Sequence, residues 1–71
     1  MKITINGEAR EIPESLSVVA MLAHLGLAPE RVAIERNREI LPRARWKETI
    51  VQPGDSYEIV HLVGGGAIES H

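Results

Sequence analysis

The chain has 71 residues, carries a formal net charge of -2 and contains no cysteine. This length allows one domain and leaves no room for a second. The absence of cysteine excludes disulfide bonds, thiol nucleophiles and cysteine-based metal sites. Phenylalanine is also absent, so we expect a thin aliphatic core built from Ile, Val and Leu.

Residues 1–12 predict a β-hairpin. Ile3 and Ile5 alternate with polar residues and therefore share one face of a strand. Asn6-Gly7 follows, and this dipeptide favours a type I′ turn, in which both central residues need a positive φ. The return strand runs from Glu8 to Ile12, where a proline ends it.

Residues 17–26 predict a short helix. Ser17 suits its N-cap, because its hydroxyl group can accept a hydrogen bond from a free N–H of the first turn. Gly26 can take the left-handed conformation that ends a helix. Apolar residues recur at the spacing of one helical stripe; they are Val18, Met21, Leu22 and Leu25. Since about two turns of helix are marginal alone, we expect this stripe to pack on a sheet.

Two shorter strands are predicted in the middle of the chain. Residues 32–34 begin a third strand, residues 37–39 form a turn, and Ile40-Leu41 forms a short strand that a proline stops. The polar segment 43–49 is expected to form an irregular or single helical turn. Within it, Trp46 is interpreted as a core anchor, and the alternative is a side chain that stacks on a ligand.

A tight turn at Pro53-Gly54-Asp55 precedes the last predicted strand, which spans residues 57–63. In such a turn an aspartate more often accepts hydrogen bonds from nearby backbone N–H groups than acts as an acid catalyst. One short helix and four or five strands in this order fit an α+β layer, with the helix on one face of a mixed sheet. The β-grasp arrangement satisfies the order.

The last strand has two faces of different character. If Tyr57, Ile59 and His61 or Val63 face the core, the residues between them face the other way. That second face then carries Val60 and Leu62. Exposed apolar side chains of this kind indicate a docking surface. The alternative is that the segment around the tryptophan covers them.

Three glycines, Gly64, Gly65 and Gly66, directly follow the last strand. Residues without side chains can pass through a narrow channel and adopt backbone angles closed to other residues. A carboxylate at the end of such a tether could reach deep into the active site of a partner. The alternative is a flexible linker or a disordered tail.

Other classes of function find little support. No Ser/His/Asp or Cys/His set has motif context, and the glycines are followed by Ala67 rather than by the lysine of a phosphate-binding loop. The three histidines stand at no metal-ligand spacing. A polar N-terminus without a signal peptide, and no apolar run near the ~20 residues of a membrane span, predict a cytoplasmic protein without membrane association.

The basic residues form one loose cluster, with acidic residues interleaved. Its members are Arg36, Arg38, Arg43, Arg45 and Lys47. Nucleic-acid binding usually requires a continuous basic patch, so we expect no nucleic-acid partner. The cluster is interpreted as a solvated surface, and the alternative is a docking patch for an acidic partner.

Over residues 1–66 the chain resembles the ThiS/MoaD family of small sulfur carriers. No single segment is specific, but the ordered set in so short a chain is. The segments are Ile5-Asn6-Gly7-Glu8, Val32-Ala33-Ile34-Glu35-Arg36-Asn37, Ile40-Leu41-Pro42-Arg43 with Trp46, and Pro53-Gly54-Asp55 with Ile59-Val60-His61-Leu62-Val63-Gly64-Gly65-Gly66. The resemblance implies a ubiquitin-like β-grasp domain over residues 1–66 that is not an enzyme, with no catalytic residue and no bound metal or cofactor.

The resemblance also implies a mechanism. In the family, an E1-like adenylating enzyme uses Mg-ATP to activate the terminal glycine carboxylate, which is Gly66 here. A persulfide sulfur donor then converts it to a thiocarboxylate, and thiazole synthase takes the sulfur for the thiazole ring of thiamine. Gly64 and Gly65 would present the tail, and Val60 and Leu62 would contact the partner. The alternatives are a carrier for molybdopterin or cysteine synthesis, or a non-covalent β-grasp binding module.

The chain departs from the family after Gly66. The mature family form ends at Gly-Gly, whereas this chain continues through residues 67–71. With this extension, Gly66 has no free carboxylate and cannot be adenylated. We expect the extension to be trimmed, since a JAMM-type metalloprotease trims some related carriers. The alternatives are an artificial addition and a family member without carrier activity.

Overall fold

The computed structural model describes residues 1–63 and 67–70. The elements in chain order are β1 (Lys2–Ile5), β2 (Glu8–Glu11), the helix α1 (Val18–His24), β3 (Val32–Arg36), β4 (Glu39–Ile40), β5 (Ser56–Val63) and β6 (Ala67–Ser70). Single turns of 3₁₀ helix at Pro29–Arg31 and Arg43–Arg45 lie in the connections. In the part of the chain that the structure describes, no helix is long and apolar enough to cross a membrane.

The strands form one mixed sheet in the order β2-β1-β5-β3-β4, with β6 also paired to β5. β1 runs parallel to β5, through the pairs Thr4↔Ser56 and Ile5↔Tyr57, and the other strand pairs are antiparallel. The residues of α1 pack with one face of this sheet in a single core. This arrangement confirms the predicted α+β class and the β-grasp topology.

The two hairpins turn through residues with positive φ. Asn6 and Gly7 have φ values of 50° and 84°, which confirms the predicted turn between β1 and β2. Asn37 and Arg38 do the same between β3 and β4, with φ values of 51° and 71°. Because this second turn needs only two residues, β4 begins at Glu39, one residue earlier than the predicted strand Ile40-Leu41.

The helix and its cap agree with the sequence pattern. The Ser17 hydroxyl accepts a hydrogen bond of 3.1 Å from the N–H of Ala20. Val18, Met21 and Leu22 are fully buried, so the predicted stripe faces the core. The helix is shorter than predicted and ends at His24, and the chain leaves it through Gly26 at a φ of 75°.

The core is aliphatic, as predicted, with one indole and one phenol added. Trp46 retains 2% of its exposure, and its Nε1–H donates a hydrogen bond of 2.9 Å to the carbonyl oxygen of Leu41. Tyr57 is fully buried. The prediction of Trp46 as a core anchor is therefore confirmed.

The extension adds a strand that the sequence did not predict. β6 pairs antiparallel with the end of β5, from Val60↔Ser70 to Val63↔Ala67. Space exists there because β1 pairs with β5 only as far as Tyr57. The five strands before the extension agree with the predicted four or five, and β6 adds a sixth strand among the described residues.

Candidate functional site

The predicted carrier residues Gly64, Gly65 and Gly66 lie outside the described residues. The structure instead shows what leads to them: β5, which lies between β1 and β3 in the sheet and ends at Val63. β5 itself has one face buried in the core, at Tyr57 and Ile59.

Side chains alternate along β5 as predicted. Tyr57 and Ile59 are buried at 0% and 2% exposure, whereas Glu58 is exposed. Val60 and Leu62 are half-buried, and both precede the glycines by only a few residues. The second face of β5 is thus partly open to solvent, on the side of the sheet away from α1.

A groove of about 410 Å³ crosses this face. Its apolar lining includes Ala33 and Val60 from the strands and Ile40, Leu41 and Pro42 from β4 and the segment after it. The segment that carries Trp46 therefore borders the face rather than covering it, and it leaves Val60 accessible.

The sequence did not predict that Ile40 would be exposed in this groove. It retains 80% of its exposure, far more than the 46% of Ile50, the other exposed large apolar residue among those described. The signal in the sequence was an isoleucine on a short strand just before a proline, where a short edge strand offers little burial. A side chain this exposed and this apolar fits contact with a partner.

Charged residues also line the groove, namely Glu35, Glu58 and Arg43. Both carboxylates come from the strands, whereas the guanidinium comes from the segment after β4. The groove therefore combines apolar side chains with charges of both signs, a composition that fits a protein-binding surface with an apolar core and a polar rim.

Two members of the basic cluster hold the fold together. Arg36 donates to Asp55 through Nε at 3.0 Å. The guanidinium of Arg43 lies 4.6 Å from the ring centre of Trp46 and donates to the carbonyl oxygens of Pro29 and Val32. The cluster is therefore not a uniform docking patch for an acidic partner, since these two cations are committed internally.

The Asp55 side chain accepts hydrogen bonds from several neighbouring residues. It is 6% exposed and accepts hydrogen bonds of 2.9 Å from the N–H of Gln52 and from the hydroxyl group of Tyr57. Arg36 and Asn37 donate to it as well. Burial acts to raise the pKa of Asp55, but these donors outweigh burial and hold the pKa below its ordinary value.

This geometry confirms that Asp55 belongs to a turn, and it adds donors that the sequence did not reveal. An acid catalyst needs a proton to give, whereas these donors favour the ionised carboxylate. The network fixes the start of β5.

Asn6 fixes the middle of β5. Its side-chain oxygen accepts a hydrogen bond of 2.8 Å from the N–H of Ile59, and its amide group donates to the carbonyl oxygen of the same residue at 3.2 Å. The asparagine side chain thus continues the β1–β5 ladder past the end of β1. Among the described residues, no three His, Asp or Glu side chains are arranged to hold a metal ion.

The sequence pattern of the ThiS family matches residues 3–66. The chain belongs to the ThiS family. The match covers almost all of the β-grasp domain and ends at the last of the three glycines. The structure agrees, since ThiS from Geobacter metallireducens has a TM-score of 0.81 at 38% identity, over 93% of this chain and 100% of the other.

Related sequences place this ThiS domain in two contexts. The sulfur carrier protein ThiS of Escherichia coli is 30% identical over 66 residues, which are 93% of this chain and 100% of that protein. A thiazole synthase of Paramagnetospirillum magneticum is 45% identical over 67 residues, which are 94% of this chain but 21% of that protein. The chain spans about a fifth of the length of the thiazole synthases it matches.

Proposed function

We propose that this chain is a sulfur carrier of thiamine biosynthesis that acts through the carboxylate of Gly66. The observation that carries the proposal is the family match, which spans the domain and ends at this residue. β5 supports it, because the strand is fixed at Asp55 and at Asn6 and leads directly to the glycines.

The proposed chemistry suits a terminal glycine. A carboxylate is a poor electrophile until one of its oxygens becomes part of a good leaving group. An E1-like adenylating enzyme would supply this by joining the Gly66 carboxylate to the AMP unit of Mg-ATP, with release of pyrophosphate. A persulfide sulfur would then displace AMP at the carbonyl carbon to give an acyl disulfide. A second thiol would attack the donor's sulfur of that bond, which forms a disulfide with the donor and releases the thiocarboxylate.

Thiazole synthase is the proposed acceptor of the sulfur. Support comes from relatives named thiazole synthase that match 94% and 93% of this chain within much longer proteins. The occurrence of a similar domain within an acceptor enzyme favours thiazole formation over the molybdopterin and cysteine pathways. A carrier domain that is linked to its acceptor enzyme also meets it at a high effective concentration.

The chain requires one step before activation. The carboxyl group of Gly66 is joined to Ala67 by a peptide bond, so that bond must be hydrolysed to free the carboxylate. A JAMM-type metalloprotease is the proposed agent. Val60 and Leu62, with the neighbouring groove, form the proposed contact surface for the adenylating enzyme.

Intact-mass measurement tests the proposal. The chain is recovered from its host and incubated with Mg-ATP, the adenylating enzyme and a sulfur source. We expect a chain that ends at Gly66 and gains the mass difference between sulfur and oxygen. In a chain shortened to end at residue 66, the Gly66→Ala variant has the same free carboxylate with a methyl group beside it, and it is expected to react much more slowly than the shortened chain with Gly66. A chain that keeps residues 67–71 and never takes up sulfur would contradict the carrier role.

A further inference from the structure

The backbone of β5 presents alternate residues to its two neighbours. The N–H of Asn6 donates to the carbonyl oxygen of Tyr57, and Ile59 pairs with the Asn6 side chain through both its N–H and its C=O. The backbone N–H and C=O groups of Tyr57 and Ile59 therefore point toward the β1 edge. Because the direction alternates along a strand, His61 and Val63 point theirs toward the same edge.

The pairing of β1 with β5 ends at Ile5↔Tyr57, and the Asn6 side chain pairs with Ile59. Among the described residues, β6 is the element that pairs with the rest of this edge, through His61↔Glu69 and Val63↔Ala67. The alternation makes these two the hydrogen-bonded pairs of the ladder.

The edge carries none of the features that usually block strand addition. Residues 59–63 read Ile-Val-His-Leu-Val, with no proline, no lysine and no acidic side chain. An edge of this kind is a template for another extended chain. β6 shows directly which chain fits: a short antiparallel segment that brings its backbone to His61 and Val63.

We propose that the β6 edge of β5, at His61 and Val63, is a strand-docking site for an extended antiparallel segment of the adenylating enzyme that acts on Gly66. Main-chain hydrogen bonds would supply the recognition, as in other cases of strand addition. The site lies within a few residues of Gly66, so docking there would also align the tail for the reaction.

It follows that the extension blocks the carrier twice. It joins the Gly66 carbonyl to Ala67, and it occupies the edge that the partner needs. The inference rests on the proposed function for the identity of the partner and for the removal of residues 67–71. The docking edge itself is tested in the full chain without adenylation.

A pair of proline substitutions tests the pairing at this edge without altering β5 itself. In the ladder, the N–H of Glu69 points to His61, whereas the N–H of Ser70 points away from β5. Glu69→Pro therefore removes a ladder hydrogen bond, and Ser70→Pro is its matched control. Amide hydrogen exchange measured by NMR reports on each residue of β5.

In Glu69→Pro, the amides of His61 and Val63 are expected to exchange about tenfold faster, while those of Tyr57 and Ile59 keep their rates. Ser70→Pro is expected to match the unaltered chain. A blocked synthetic peptide with the sequence of residues 67–71, added at millimolar concentration to Glu69→Pro, is expected to slow the same two amides again.

The adenylating enzyme is then added to each chain. It is expected to protect His61 and Val63 in Glu69→Pro but not to alter them in the unaltered chain. Peptide binding that leaves these amides unchanged, or an enzyme that protects other residues only, would overturn the docking site. Since no sulfur transfer is involved, a chain that binds the peptide here but never forms a thiocarboxylate would contradict the carrier function alone.

Discussion

The carboxylate of Asp55 accepts a hydrogen bond of 2.9 Å from the hydroxyl group of Tyr57, two residues further along the chain. Tyr57 is fully buried, and its ring belongs to the core beneath the sheet. Burial, followed by the neighbouring Asp55 carboxylate, raises the pKa of Tyr57. The pair therefore links the turn before β5 to the core as a neutral phenol that donates to an ionised carboxylate.

This link predicts a loss of stability in acid. Because the pKa of Asp55 is lowered in the folded chain, its contribution to the free energy of unfolding is complete above the pKa of the unfolded chain. The contribution is lost as the pH falls through the folded-state value. Urea unfolding at about pH 7 and about pH 3 is expected to show this loss.

Asp55→Asn isolates the contribution of the carboxylate. It is expected to lower the free energy of unfolding by about 2 kcal/mol near neutral pH and to flatten the decline in acid. Glu58→Gln, on an exposed residue of the same region, is the control and is expected to keep the full decline. An equal decline in both variants would show that other groups cause the acid sensitivity.

Asn6 is predicted to stabilise the chain by two separable means. Asn6→Gly keeps the positive φ but removes the bonds to Ile59, and it is expected to cost about 1–2 kcal/mol in denaturant unfolding. Asn6→Ala removes the same bonds and also disfavours the φ of 50°, so a further cost of about 1 kcal/mol is expected. Equal stability of the two variants would mean that the turn conformation contributes little.

Arg43 is predicted to act as a structural clamp. Lysine cannot reproduce its forked donation to Pro29 and Val32 together with stacking on Trp46. Arg43→Lys is therefore expected to lower the free energy of unfolding by about 1 kcal/mol in denaturant titration. The exposed Arg45 provides the control, since Arg45→Lys alters only a surface ion pair with Glu48 and is expected to change stability by less than about 0.5 kcal/mol. Equal losses of stability at the two positions would show that the contacts of Arg43 contribute no more than those of an ordinary surface residue.

The sequence predicted the features of the fold that depend on neighbouring residues. The positive φ of Asn6-Gly7, the Ser17 cap and the apolar stripe of α1 each follow from a few consecutive side chains. The network around Asp55 could not be predicted this way. Its partner Arg36 lies 19 positions away and reaches it only after β3 pairs with β5.

The same distinction applies to the candidate site. Alternation along β5 predicted that Val60 would lie on the second face. Ile40 joins the same groove only because β4 folds back on β3, through Arg36↔Glu39. β6 was missed for a related reason, since its strand conformation depends on an edge that β1 leaves uncovered.

Ile40 provides the sharpest prediction about docking. Its side chain is 80% exposed and lines the groove with Val60, so a carboxylate there disturbs an apolar contact without disturbing the core. Ile40→Asp is expected to weaken binding to the adenylating enzyme at least about tenfold, since a truncated or charged hot-spot residue often costs 2 kcal/mol or more. Isothermal titration of the chain with the enzyme measures the change.

The control is Ile50→Asp, which introduces the same charge at the other exposed isoleucine, outside the groove. Both variants are expected to unfold at nearly the same denaturant concentration as the unaltered chain, because surface substitutions usually change stability by less than about 0.5 kcal/mol. A general effect of added negative charge would weaken binding equally in both variants. Only a selective loss in Ile40→Asp locates the contact in the groove, and equal affinities would move the docking surface elsewhere on the domain.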